Sequence, residues 1–178
     1  MALMTNAPQL TLQNLNTMTR DAFVDALGGL FERAPWIAER AWQARPFRDE
    51  DHMIETTRDI VRAASREEQL ALLRAHPALE APGDRATLLS SASHAEQHAA
   101  GLDQSTSEQG LELVRLNQAY LKKFGFPFII AVRGLTVVDI LDALRRRLEH
   151  DPDAERETAI AETVRIATGR LSAVIGSD

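Results

Sequence analysis

The apolar residues of this chain recur at the spacing of an α-helix along almost its whole length. The clearest stripe lies near the carboxyl end, where successive apolar residues are four, three, four and three positions apart: Ile160, Val164, Ala167, Leu171 and Val174. Other stripes follow helix-start signals at Thr19, Pro35 and Ser65, and no segment shows the alternation typical of a half-buried strand. The sequence therefore predicts an all-α fold without a sheet, a single-domain bundle of about seven to nine helices.

Several helix boundaries can be predicted from single residues. Ser105 begins a capping-box pattern that predicts the start of a long helix, and Gly125 is placed to end that helix. The three arginines at 145–147 fall on the next helix, where we expect them to be largely solvated. Pro77 disfavours helical geometry at His76, which should therefore lie displayed at a helix terminus.

The length of the chain limits its domain organisation. A chain of 178 residues, 44% of them hydrophobic, suffices for one domain with a substantial core but hardly for two full domains. The first helix start that the sequence predicts is at Thr19. We therefore expect a polar leader over residues 1–18 and one helical domain over residues 19–178.

Composition argues against several classes of partner. The net charge of -6 and the pI near 5.4 give no field that attracts phosphate backbones, so nucleic acid is a poor candidate. The longest apolar run, 128–132, is far shorter than the roughly 20 residues that span a bilayer. The chain has no cysteine, which removes disulfides, thiolate nucleophiles and sulfur-ligated metals. A reducing, cytoplasmic location fits these features.

Three segments are not needed for helix formation and carry the candidate chemistry. They are the pair His76-Pro77, the pattern Ser93-x-x-Glu96-Gln97, and the apolar stretch 123–134, which Gly125 and Pro127 interrupt and Arg133 closes. An imidazole, a carboxylate and a guanidinium are the usual parts of a small site for an anionic ligand. Each signal has a plainer interpretation, because Ser-x-x-Glu is also a capping box and a terminal histidine can pair with the helix dipole.

A metal site is the rival interpretation of the middle segment. His94 and His98 are four residues apart, a spacing that can offer two imidazoles to one metal. Glu96 lies about 200° around the helix from His94, however, so it does not readily join them. The sequence lacks an HExxH pattern, and we expect no metal.

The three segments, taken in order, resemble the 2-oxo-4-hydroxy-4-carboxy-5-ureidoimidazoline (OHCU) decarboxylase family. The matching residues are His76-Pro77-x-Leu79, Ser93-x-x-Glu96-Gln97-x-x-Ala100-Gly101-Leu102 and Leu116-Asn117-x-x-Tyr120-x-x-Lys123-Phe124-Gly125-Phe126-Pro127-Phe128. Pro35-Trp36-x-Ala38-Glu39 and Arg170-Leu171 extend the resemblance to about residues 23–175. It implies a carboxy-lyase that converts OHCU to (S)-allantoin, the last step of urate conversion to allantoin.

The resemblance also implies a cofactor-free site for a small-molecule substrate. By this resemblance His76 and Glu96 would be the catalytic pair, in roles that the sequence leaves open. The other carried-over positions would bind substrate: Pro77, Ser93, Gln97, Phe128, Ile129, Ile130, Ala131, Val132, Arg133 and Arg170. The central expectation is that the side chains at 76, 96 and 170 converge on one cavity beside the proline-interrupted segment.

Two further expectations remain open at this point. A non-catalytic helical module derived from the family could bind a ligand or a protein partner, and the stripe on the last helix could also pack in a homodimer. The chain ends in Ile175-Gly-Ser-Asp, which lacks the Ser-Lys-Leu type of peroxisomal address and again favours the cytoplasm.

Overall fold

The computed structural model describes residues 10–31, 33–79, 95, 98 and 106–175. Within these ranges eight α-helices form, and the only β-pairing is an isolated bridge between Leu10 and Ile175. The helices are α1 (Leu12–Thr17), α2 (Arg20–Leu27), α3 (Pro35–Gln43), α4 (Glu50–Ala63), α5 (Arg66–Ala75), α6 (Ser107–Phe124), α7 (Val137–Arg147) and α8 (Pro152–Val174). The predicted all-α class is confirmed.

Side-chain caps begin most of these helices where the sequence signals lie. The hydroxyls of Thr19, Ser65 and Thr136 each accept a hydrogen bond from a backbone N–H in the first turn of α2, α5 and α7. α6 differs from its prediction by one residue, because the capping box uses Thr106 and Gln109 instead of starting at Ser105. Ser105 and Thr106 are adjacent residues that can both cap a helix, so the sequence hardly distinguishes the two starting positions.

The chain divides into two compact units, and α8 contributes residues to both. The first unit contains residues 1–63 and 167–178, and the second contains residues 64–166. The core of the first unit draws on α1 to α4 and the end of α8, through Leu15, Phe23, Leu27, Ala38, Ala41, Phe47, Met53 and Leu171. Among the five stripe residues of α8, Val174 departs from the pattern because it is 42% exposed.

Helix α1 lies inside the stretch expected to be a polar leader, where no helix was predicted. The guanidinium of Arg45 donates hydrogen bonds to the carbonyls of Leu15, Asn16 and Met18 at 2.8–3.1 Å. The side chain of Asn16 also exchanges two 2.8 Å hydrogen bonds with the backbone of Phe47. A cation at the carboxyl end of a helix satisfies carbonyls that have no partner in the helix.

The second unit contains α5, α6, α7, most of α8 and the irregular residues between α6 and α7. Its core includes an aromatic cluster in which Tyr120 contacts three phenylalanine rings, with centroids 4.6–5.9 Å away: Phe124, Phe126 and Phe128. These four side chains are at most 9% exposed. The cluster therefore anchors both ends of the turn that follows α6.

Gly125 ends α6 in a left-handed conformation, with φ of 76° and ψ of 14°. We expect Gly125→Ala to lower the free energy of unfolding by about 1–2 kcal/mol, because a Cβ disfavours this conformation even where no neighbour lies within 4 Å. The matched control is Gly169→Ala inside α8, where the new Cβ also meets open space and helix propensity improves. Urea denaturation of both variants should therefore show shifts of opposite sign, and equal shifts would contradict this account.

Candidate functional site

Residues 127–132 carry the proline-interrupted segment from α6 towards α7 without helix or strand of their own. Phe128, Ile129 and Val132 are at most 5% exposed. Ile130 and Ala131 are half-buried between them, and Arg133 is exposed. An irregular segment with this much burial needs specific partners for its backbone groups.

A buried ion pair supplies the first of these partners. Arg147 and Glu155 approach to 2.6 Å, with side chains 9% and 0% exposed. Arg147 also donates a 2.6 Å hydrogen bond to the carbonyl of Ile129, and its guanidinium lies 4.6 Å from the ring centre of Phe128. The expectation that Arg147 is solvated is therefore wrong, because its partner Glu155 lies on the following helix.

The buried carboxylate of Glu155 has two more partners. Tyr120 donates its phenol O–H to Glu155, and His150 Nδ1 lies 2.7 Å from the second carboxylate oxygen. Burial, together with this hydrogen bond, raises the pKa of Tyr120 well above its ordinary value, so the phenol keeps its proton at neutral pH. Both carboxylate oxygens of Glu155 therefore have a donor or a potential donor, as a buried charge requires.

A second carboxylate holds the same segment from α8. Glu162 Oε2 accepts a 2.7 Å hydrogen bond from the backbone N–H of Ala131. The Glu162 side chain is 19% exposed, and its other oxygen lies 3.8 Å from Arg165 Nη1. Sequence reasoning missed both Glu155 and Glu162, since an acidic residue on a helix gives no local signal of a distant backbone partner.

The motif residues on α6 fix three neighbouring parts of the second unit. Asn117 donates a 2.9 Å hydrogen bond to the carbonyl of Leu79, and Tyr120 joins the buried ion pair. Lys123 donates to the carbonyls of Leu148 and His150, just beyond the end of α7. Asn117, Tyr120 and Lys123 therefore have a structural role, because their hydrogen bonds hold the segments around the candidate site.

His76 ends α5, as predicted, but its side chain is half-buried and not displayed to solvent. Its backbone is extended, with ψ of 135°, and its N–H bonds to the carbonyl of Leu73 at 3.3 Å. Two residues earlier, Arg74 donates a 3.2 Å hydrogen bond to the carbonyl of Gly125. The structure thus brings the end of α5, which carries His76, to the turn from which the segment 127–132 begins.

The remaining predicted site residues are placed only in part. Ser93, Glu96 and Gln97 lie outside the described residues, whereas Pro77 directly follows His76 and is half-buried. Arg170 is half-buried in the first unit, where its Nη1 lies 3.4 Å from the carbonyl of Leu30. The convergence of positions 76, 96 and 170 therefore remains a prediction.

A groove of about 310 Å³ opens beside residues 127–132 in the second unit. Its walls include Ile130, Ala131, Asp142, Arg146, Glu162 and Arg165. The charges are mixed, and the Asp142 carboxylate is already paired with Arg145 at 2.5 Å. Charged groups that pair with one another leave this groove without a concentrated field of either sign.

The metal alternative rests mainly on residues outside the described ranges. Among residues that the structure describes, no group of three or more histidine, aspartate or glutamate side chains is arranged to hold a metal ion. His98 is an exposed helical residue, and His94 lies outside the described ranges.

None of the helices in the described ranges has the length and apolar character needed to cross a bilayer.

Fold and site together define an all-helical protein. Its candidate site consists of the carboxyl end of α5 and the irregular residues 127–132. A sequence profile described as OHCU decarboxylase matches residues 16–172. The chain is 43% identical over 170 residues to 2-oxo-4-hydroxy-4-carboxy-5-ureidoimidazoline decarboxylase of Haloferax volcanii, covering 96% of this chain and 99% of that protein. The chain belongs to the OHCU decarboxylase family, as its motifs indicated.

Two solved structures share the fold. A crystal structure of (S)-allantoin synthase superposes with a TM-score of 0.75 at 28% identity, covering 93% of this chain and 54% of the longer synthase chain. A crystal structure of OHCU decarboxylase in the presence of (S)-allantoin gives a TM-score of 0.64 at 26% identity, covering 88% of this chain and 99% of the other. This chain thus spans about half of the synthase and nearly all of the decarboxylase.

Proposed function

We propose that this protein catalyses the decarboxylation of OHCU to (S)-allantoin in urate degradation, without a cofactor. The observation that carries the proposal is the 43% identity to a protein named for this reaction, extended over nearly the full length of both chains. The described geometry supports it, because the end of α5 that carries His76 is tied to the proline-interrupted segment.

The chemistry of the substrate explains why side chains alone suffice. When the bond to the carboxylate breaks, its electron pair can enter the conjugated ring imine, so no pyridoxal, thiamine or metal electron sink is needed. Carbon dioxide leaves and the ring carbon takes up a proton. The protein has to orient the substrate, stabilise charge and deliver that proton to one face of the ring.

We assign the reaction to His76 and Glu96. An imidazole exchanges protons near neutral pH, so His76 can donate the proton or can turn the carboxylate out of the ring plane by a hydrogen bond. Glu96 would either set the tautomer of His76 or crowd the substrate carboxylate electrostatically. The position of His76 at the carboxyl end of α5, where its backbone is extended, supports this role.

Substrate binding is assigned to polar side chains and to backbone groups. Ser93 and Gln97 would bond the ring amide and ureido edges, and Pro77 would line the pocket beside His76. Arg170 would anchor a carboxylate or ureido oxygen through its planar guanidinium. Arg133 is exposed, so it contributes from the rim, and the backbone of Phe128, Ile129, Ile130, Ala131 and Val132 forms one wall.

We also propose that the protein acts in the cytoplasm as a homodimer. Exposed apolar side chains on three helices, among them Leu111, Val138 and Val174, offer surface for a second copy. Light scattering at several protein concentrations should give twice the mass of 19.7 kDa. A monomer mass at micromolar concentration would remove the dimer from the proposal without affecting the chemistry.

The direct test of activity is the rate of OHCU loss. Addition of the protein to freshly generated OHCU should speed the disappearance of substrate in proportion to protein concentration, and the rate should survive prior treatment with a chelator because no metal takes part. A substrate-loss rate equal to the spontaneous one would favour the non-catalytic module. A rate abolished by the chelator and restored by a metal would favour the metal alternative.

A further inference from the structure

The hydrogen bond between Glu162 and Ala131 joins residues that are far apart in sequence. The donor is a backbone N–H in the irregular segment, and the acceptor is a carboxylate inside α8, 31 residues later, at 2.7 Å. A hydrogen bond to a carboxylate is shorter and stronger than one between neutral groups. Arg165 lies 3.8 Å from the other oxygen, which lowers the cost of placing this charge at a partly buried position.

Two contacts of opposite charge hold the peptide groups on either side of Ile130. Arg147 donates a hydrogen bond to the carbonyl of Ile129, which belongs to the first of these peptide groups. Glu162 accepts a hydrogen bond from the N–H of Ala131, which belongs to the second peptide group. Residues 127–132 have no helical or strand ladder, so these contacts replace the regular partners that would otherwise fix the backbone.

Holding one end of a peptide group also directs its other end. The only cis peptide bond in the described residues precedes Pro46, so both peptide groups beside Ile130 are trans. In a planar trans peptide the N–H and the C=O point in opposite directions. The N–H and C=O of Ile130 therefore point away from Arg147 and Glu162 respectively, as an adjacent donor and acceptor.

We propose that Glu162 is a positioning residue for the substrate, which acts by holding the Ala131 N–H and thereby aiming the backbone of Ile130 at the ligand. This inference rests on the proposed function, in which residues 128–132 form a wall of the site. An adjacent donor and acceptor match the N–H and C=O of a cyclic amide or ureido group. Glu162 itself does not touch the substrate.

The test compares two substitutions at this position. Glu162→Ala removes the acceptor, and we expect KM for OHCU and the Kd for (S)-allantoin to rise about tenfold or more, since a small misplacement of binding groups has effects of up to about a hundredfold. Glu162→Gln keeps an oxygen acceptor and should stay within about threefold of the parent, because only the charge assistance is lost. Amide exchange at Ala131 should accelerate in Glu162→Ala and less so in Glu162→Gln.

Two controls on α8 separate positioning from stability. Glu157→Ala removes an exposed carboxylate whose partner is Arg156, and KM and Kd should not change. Ile160→Val removes a methylene from a residue that is 2% exposed, which destabilises the protein while the hydrogen bonds from Arg147 and to Glu162 keep their partners. It should lower Tm while KM and Kd stay at parent values, since loss of folded protein reduces only the active fraction.

The outcomes distinguish this inference from the proposed function. If the parent turns OHCU over and Glu162→Ala has unchanged KM and Kd, the positioning role is wrong although the function stands. Tighter (S)-allantoin binding by Glu162→Ala would also overturn it, because the carboxylate would then compete with the ligand. If the parent lacks turnover but binds (S)-allantoin in a Glu162-dependent way, the function falls and the positioning role stands. A parent that neither binds nor reacts removes both.

Discussion

Replacing His76 with alanine will lower kcat/KM for OHCU by about 10²- to 10⁴-fold, the range expected when a positioned acid–base group is lost. The loss should fall mainly on kcat, because the imidazole acts on the proton or the carboxylate as the bond breaks. Initial rates of OHCU loss over a range of substrate concentrations measure the effect. The spontaneous rate is subtracted from each trace.

The helical content should not respond to this substitution. The cap that His76 provides uses its backbone N–H, which bonds to Leu73, and Pro77 continues to keep this position out of the helix. His98→Ala is the matched control, since it removes an exposed histidine that the proposed chemistry does not use. Near-parent activity in His76→Ala, or an equal loss in His98→Ala, would show that the site is misplaced.

Replacing Glu155 with glutamine will lower the free energy of unfolding by about 3–5 kcal/mol, the usual cost of leaving one partner of a buried ion pair without the other. The glutamine has nearly the same size, so the loss reflects charge and hydrogen bonding. Arg147 would remain buried beside a neutral amide, whose single oxygen can still accept hydrogen bonds but no longer balances the charge of the guanidinium. Urea denaturation, followed by far-ultraviolet circular dichroism, measures the change.

An exposed ion pair between the start of α8 and the start of α5 provides the control for Glu155→Gln. Arg66 and Asp153 lie 2.7 Å apart with side chains 59% and 67% exposed. Asp153→Ala should cost less than about 1 kcal/mol, because solvent screens such a pair. A similar small cost for Glu155→Gln would contradict the view that the buried network holds the irregular segment.

Helix boundaries could be predicted because each depends on neighbours in sequence. Thr19 and Ser65 cap helices through N–H groups three residues away, and the left-handed Gly125 ends α6 within one turn. Local geometry of this kind depends on a few consecutive residues. The same locality made His76 recognisable as a helix terminus.

The contacts that hold residues 127–132 could not be predicted, because the partners are distant in sequence. Arg45 reaches back about thirty residues to hold α1, and Glu162 reaches across 31 residues to Ala131. On its own helix Arg147 looks like one of three solvated arginines, and only the fold brings Glu155 beside it. Long-range polar contacts carry no periodicity, so the pattern of apolar residues that predicts helices does not reveal them.

The chirality of the product tests the central claim most directly. Spontaneous decay of OHCU protonates the ring from both faces and yields racemic allantoin, whereas a site that delivers the proton to one face yields a single enantiomer. A circular-dichroism time course on freshly generated OHCU should therefore develop the signal of (S)-allantoin at a rate proportional to added protein. A time course that stays optically inactive, at the spontaneous rate of substrate loss, would contradict the account.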